Sequence, residues 1–190
     1  MKLLLPKPRL ALFLFALAAS AHGQEIILRF NQEAVGKPVP AYTNAGVVFT
    51  PAHPATKSKA VPKVMFFPHL KTDRKGILNA MADDPIPVKV RFPQAASSVT
   101  LILWGATGCP ARLEAFASDG RRLDQVSLPA VPARFSPADP VPTFELTVKA
   151  PEIAYVCLSG PRAGEYLAAE EVRFTPQNGS PPSLPPTNKD

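Results

Sequence analysis

Three groups of side chains in this sequence have types that do chemistry. The first is aromatic. Trp104 is the single tryptophan and stands at the end of an apolar stretch beside Gly105, and Tyr42, Tyr155 and Tyr166 are the three tyrosines. A flat ring packs against the apolar face of a pyranose while polar groups at its rim take the hydroxyls. Trp104, Tyr42 and Tyr166, with the carboxylate of Glu170, are therefore the candidate ligand contacts. A tryptophan is equally the largest core filler, and its N–H finds a carbonyl at a strand end, so Trp104 has a packing reading beside the binding one.

The second group is the adjacent pair Glu170 and Glu171. Neighbours on a strand point to opposite faces, so the two act together only if a bulge separates them. Glycoside hydrolysis needs two carboxylates about 5–9.5 Å apart across a cleft. Glu33, Asp83, Asp84, Glu114 and Glu145 are available as partners, but nothing in their spacing selects one. A solvated or turn-stabilising pair is the plainer reading. The third group is Cys109 with Cys157, the two cysteines of the chain. An even count in an exported chain favours a disulfide; two free thiols buried apart are the alternative. A bridge would close a loop of about 48 residues, roughly 3–4 kcal/mol of stabilisation. Thiol catalysis needs a base, and past the leader the histidines are His53 and His69, both in irregular Pro-rich sequence. Their separation gives no zinc-binding spacing, and Gly-x-Ser-x-Gly, Walker A and GxGxxG patterns are absent from the sequence.

Residues 1–23 read as a secretory signal peptide. Lys2, Lys7 and Arg9 open it, the 12-residue apolar run Leu10–Ala21 follows, and Ala21-His22-Gly23 supplies a small-x-small cleavage site. The run is short against the roughly 20 residues that span a bilayer, and no later stretch is long and apolar enough to do so. The expected location is periplasmic or secreted. Losing the three leader cations takes the formal charge from +6 to +3, which, with export, speaks against a nucleic-acid partner. The remaining positive charge is concentrated in Lys57, Lys59, Lys63, Lys71, Arg74 and Lys75, with Asp73 as the only acid among them. These cations surround Val64-Met65-Phe66-Phe67 and suit an anionic envelope polymer or lipid head group, or form an ordinary solvated loop.

Positioning such residues falls to β-strands. The 24 prolines and 10 glycines among 190 residues argue against a helix bundle, since an interior proline costs on the order of 3 kcal/mol. Hydrophobic content of 46% argues against wholesale disorder. Strands are expected at 25–30, 45–50, 87–92, 98–104, 112–118, 122–128, 143–148, 153–159 and 171–175, with a short one at 64–67 and a turn or single helical turn at 73–81. PVKVRF alternates apolar residues with Lys89 and Arg91, which gives one wet face. Asp119-Gly120 is a hairpin signal. Short strands with Pro and Gly in the joints point to an all-β fold, a single antiparallel two-sheet β-sandwich or jelly roll, over 24–176. A long basic loop is expected at about 51–75 and a disordered Pro-rich tail at 177–190.

Four pieces resemble the galactose-binding-like jelly-roll sandwiches of exported bacterial proteins. Tyr42, Gly46, Val47 and Phe49 match the opening; Leu113, Ala115, Phe116 and Gly120 the hairpin; Ile153, Val156 and Gly160 the penultimate strand; and Glu170, Glu171 and Phe174 the close. The match covers most of the stretch from Gln24 to Thr175, excluding Pro51–Met81. It implies a binding or scaffolding module, often for carbohydrate and sometimes holding a structural Ca2+. Glu-Glu stands where the family usually has Asp-Asp, and Phe116 where it has Tyr. Calcium takes six to eight oxygens, and Glu33 with Glu171 are the residues expected to supply some of them. No cofactor is otherwise required.

The resulting expectation is an exported, non-enzymatic module that binds carbohydrate or cell-envelope glycan. The alternatives are a structural or adaptor domain packing against another envelope protein and, behind it, a glycan-active hydrolase.

Overall fold

A computed structural model of the chain describes residues 23–31, 34, 41–42, 45–51, 63–65, 76–78, 88–106, 110–130, 142–159 and 166–177. For some strand residues, Tyr42 and Tyr166 among them, the backbone pairing alone is described. The described residues contain ten strands and no helix. They are β1 (Ile26–Arg29), β2 (Ala41–Tyr42), β3 (Val47–Pro51), β4 (Lys63–Met65), β5 (Gly76–Leu78), β6 (Val88–Ala106), β7 (Ala111–Phe116), β8 (Arg122–Leu128), β9 (Thr143–Ser159) and β10 (Tyr166–Pro176). Every pairing is antiparallel.

Two differences from the sequence reading define the architecture. Segments 87–92 and 98–104 form the single strand β6, and 143–148 and 153–159 form the single strand β9. Their junctions carry Pro93 and Pro151. Proline removes a ladder donor and fixes φ, so it interrupts pairing and bends a strand. The β6–β9 register accordingly shifts between Arg91 and Ala96 and again before Ser98. Residues from both ends of β6, Val88, Val90 and Leu101, line one apolar cavity, so the long strands fold over where their register breaks and enter a second arm, as strands do when they pass from one layer of a sandwich to the other. The two layers are therefore halves of one hydrogen-bonded network.

The first arm runs β3, the start of β6, the end of β9, β7 and β8; the second runs β1 and β5 on one edge of β10, then the end of β6 and the start of β9. The arms face one another. Phe49, Val88, Val90 and Leu158 of the first share a small apolar cavity with Leu101, Ala169 and Val172 of the second. Phe30, just past β1, meets Phe49 edge-on at 5.7 Å, and Phe92 meets Phe174 at 4.8 Å. Such ring pairs contribute about 0.5–1.5 kcal/mol beyond the area they bury.

Segment 73–81, expected as a turn or helical turn, contains strand β5, which pairs through Ile77 with Ala169. The contact needs a glycine: a Cβ on Gly76 would lie 2.7 Å from Ala168 Cβ and 2.8 Å from the Ala169 carbonyl oxygen. The Asp119-Gly120 hairpin forms as expected. Gly120 takes φ 88°, and Asp119 Oδ1 accepts the Arg121 N–H at 2.9 Å. Of the leader only Gly23, of the basic loop only Pro51 and Lys63–Met65, and of the tail only Gln177 lie within the described residues.

Candidate functional site

The register places three rungs of side chains on the outer face of the first arm. Val48, Arg91, Tyr155, Phe116 and Arg122 lie opposite one another across five strands. Beside them run Thr50, Lys89, Cys157, Glu114 and Gln125, and then Ser159, Arg112 and Ser127. Directly opposed residues share a face, and the intervening residues Val88, Val90, Val156, Leu158, Leu113 and Ala115 form the core. The alternation of PVKVRF, ARLEAF and IAYVCLS creates this division: each inward apolar residue leaves its neighbour outside.

The first rung holds a parallel aromatic pair. Phe116 and Tyr155 stack with centroids 5.0 Å apart and planes 11° from parallel, and Lys89 Nζ lies 3.8 Å from the Tyr155 ring centroid. Both rings are half-buried. Burial foremost, with the field of Cys157, pushes the Tyr155 phenol up against the lowering effect of Arg91. Arg122 Nη1 donates to Glu114 Oε1 at 2.8 Å, closing an ion pair at the edge of the face. Lys89 and Arg91 sit on the wet face expected from their alternation. Tyr155 is not among the expected ligand contacts; the signal that separates it from the other tyrosines is its place between the inward Ile153 and Val156, opposite an aromatic on the neighbouring strand.

Cys157 is on the same face as a free thiol, which corrects the expected disulfide. Its cross-strand neighbours are Lys89 and Glu114; Cys109 lies outside the described residues. Burial pushes the thiol up to about 11, with Lys89 lowering it and Glu114 raising it.

The outer face of the second arm is organised around Glu171. Arg29 Nε donates to Oε2 at 2.7 Å, and Arg173 Nε donates to Oε1. Burial alone would raise the carboxyl, but the hydrogen bonds and charges of Arg173 and Arg29 hold it below its ordinary range. Thr100 and Thr147 hydrogen-bond across β6 and β9 at 2.9 Å. Glu171 thus faces two guanidinium groups where calcium was expected, and a cation there would have to displace both. Glu33, its expected co-ligand, lies outside the described residues, among which no cluster of three or more His, Cys, Asp or Glu side chains has metal-binding geometry.

A bulge does separate the two glutamates. The β10–β6 register slips between Ala169 and Glu171. Inward Val172 and Phe174 would, by strict alternation, send Glu170 into the core; the extra residue lets Ala169 take that place. The Glu170 carbonyl accepts the Phe30 N–H at 3.2 Å.

Trp104 is 0% exposed, and its neighbour Leu103 is also fully buried. Successive buried residues mean that β6 is covered on both faces at this end, so the indole packs in the interior and presents no stacking surface. Tyr42 pairs with Val47, and Tyr166 with Ala106, at the level of backbone. Of the basic cluster, Lys63 opens β4, while Lys57, Lys59, Lys71, Arg74 and Lys75 lie outside the described residues. The register sets Tyr166 one rung beyond the Ala168–Trp104 pair, and among the described side chains it gathers the aromatic pair and its cations on one face.

No protein-family model and no curated protein matches the sequence. Among solved structures the chain is similar to an arabinose-bound GH51 α-L-arabinofuranosidase, with 13% identity and a TM-score of 0.46 over 82% of this chain and 27% of that one. It is also similar to a CBM4 carbohydrate-binding module, with 15% identity and a TM-score of 0.35 over 75% of this chain and 96% of that one.

Proposed function

We propose that the chain is an exported, non-enzymatic β-sandwich module that binds carbohydrate or cell-envelope glycan through the outer face of β6, β9 and β7. The observation that carries this reading is the parallel Phe116–Tyr155 pair on an exterior sheet face, ringed by Lys89, Arg91, Glu114 and Arg122. Aromatic carbon packs against the apolar face of a sugar ring, and the surrounding donors and acceptors take its hydroxyls. Glu171, ion-paired at both oxygens and held below the ordinary carboxylate range, is poorly suited to act as a general acid, which favours binding over hydrolysis. The adaptor alternative rests on Phe66 and Phe67, outside the described residues.

A glycan array followed by isothermal titration with the full chain, with and without EDTA, tests the proposal. Saturable binding to a polysaccharide or oligosaccharide, unaffected by EDTA, is expected. Absence of binding across the array would overturn it.

A further inference from the structure

Charge on the candidate face is one-sided. Its three rungs carry Lys89, Arg91, Arg112 and Arg122 against a single carboxylate, Glu114. That carboxylate is already bound to Arg122 at 2.8 Å. Among the described residues no carboxylate is ion-paired with Lys89, Arg91 or Arg112. Lys89 lies over Tyr155, Arg91 is directly opposite Tyr155 in the register, and the Arg91 and Arg112 side chains are exposed. The outer face of the other arm differs: there Arg29 and Arg173 share Glu171, and Glu145 stands on the same rung. A further carboxylate, Asp119 in the adjoining turn, reaches Tyr155 with its field and lies 3.9 Å from Arg121 Nε; Lys89, Arg91 and Arg112 therefore leave a net positive charge around the aromatic pair.

We infer, resting on the glycan reading above, that this face selects acidic glycans, and specifically sugars bearing a carboxylate such as uronic acids. A pyranose ring against Phe116 and Tyr155 brings its ring substituents to the cations of the neighbouring rungs. A carboxylate at that position meets Arg91, whose planar guanidinium matches it with two parallel hydrogen bonds, and the ammonium of Lys89. A neutral hydroxymethyl group has no charge to offer them. The selection is electrostatic and on an open surface, so it weakens as salt rises.

The test compares a panel of oligouronides with the same oligomers methyl-esterified at the carboxylate, which keeps the sugar and removes the charge. Titration of the full chain should show the free acid binding at least about tenfold more tightly than its ester, with the difference shrinking at high salt. Arg91→Gln should erase most of that difference without changing the melting temperature, whereas Lys57→Ala with Lys59→Ala in the basic segment should leave it intact. Equal affinity for acid and ester, or binding of neutral glycans alone, would overturn the acidic selectivity while leaving the glycan reading in place. Loss of the preference in the Lys57/Lys59 variant and not in Arg91→Gln would overturn this site as its source. Absence of binding to every glycan, acidic or neutral, would overturn both.

Discussion

The side-chain oxygen of Gln177 accepts the backbone N–H of Glu152 at 2.9 Å. Gln177 also donates its own N–H to the Ala95 carbonyl at 2.8 Å. One residue past the end of β10 thereby ties the corner of β9 to the corner of β6. Glu152 holds φ at 64°, a left-handed conformation that costs an L-residue about 1 kcal/mol or more. Glu152→Gly relieves that cost and retains the N–H, so a net gain of roughly 0.5 kcal/mol is expected after the added freedom of the unfolded chain. Gln177→Ala should lose about 1 kcal/mol. Urea unfolding of both variants checks the pair; a less stable Glu152→Gly protein would contradict a strained corner.

The approach of β5 to β10 gives a second stability test. At Gly76 a methyl group would meet the Ala168 Cβ and the Ala169 carbonyl at distances that require backbone movement. Gly76→Ala should cost about 1–3 kcal/mol, the usual range for overpacking. Ser118→Ala, at an exposed position in the β7–β8 turn region, is the matched control and should stay within about 0.5 kcal/mol. Similar midpoints for the two variants would mean that β5 is not held against β10 in solution.

Most strands, the hairpin at Asp119-Gly120 and the wet face of Lys89 and Arg91 were legible in the sequence because each depends on a local period or a local turn; β2 and β5, two and three residues long, are too short to show one. Corners were not. Pro93 and Pro151 read as breaks between strands, since proline ends a ladder, yet a strand that bends at its proline and continues has the same local sequence. Trp104 shows a similar limit: its neighbourhood permits either a rim or a core position, and only the covering of both faces of β6 decides between them. Bringing Phe116 to Tyr155 depends on which strands become neighbours and in what register, and that information is spread over β7 and β9, well apart in the chain.

Glu171 makes stability depend on pH. Its carboxyl is held below the ordinary range in the folded chain, so the unfolded chain takes up the proton first. Its contribution is therefore fully present above the unfolded carboxyl value of about 4.3 and disappears as pH falls through the lower folded value. Glu171→Gln should lose about 2 kcal/mol at neutral pH, in line with hydrogen bonds to a charged group, and little at strongly acidic pH. Melting temperatures from neutral to strongly acidic pH would show the wild-type and variant curves converging at the acid end. A constant offset between them would rule out the carboxylate as the origin of the difference.

Cys157 should behave as a shielded thiol. With its pKa pushed up to about 11, chiefly by burial, the reactive thiolate is a very small fraction near pH 7. Alkylation of native protein, followed by peptide mass analysis, should label Cys157 slowly, with a rate that rises about tenfold per pH unit until the thiol titrates. Unfolding in denaturant without a reductant should then give complete labelling. A Cys157 peptide that resists alkylation after unfolding and is released by reductant would restore the disulfide and displace the thiol from the outer face.

The aromatic pair and Trp104 make opposite predictions, and together they locate the binding surface. Phe116→Ala removes one ring from an exterior stack. The stack itself contributes only about 0.5–1.5 kcal/mol to stability, so the variant should fold while losing glycan affinity by about tenfold or more. Tyr155→Phe keeps the stacked ring and removes only the hydroxyl, so it should retain most of the affinity. Trp104→Phe shrinks a side chain that is 0% exposed. It should lower the melting temperature through a cavity costing about 1–3 kcal/mol, yet bind glycan as the wild type does at temperatures where it remains folded. Titration calorimetry and thermal unfolding of the three variants separate these effects. If Trp104→Phe loses affinity while Phe116→Ala keeps it, the binding surface belongs at the end of β6 that carries the indole, and the stacked pair is packing alone.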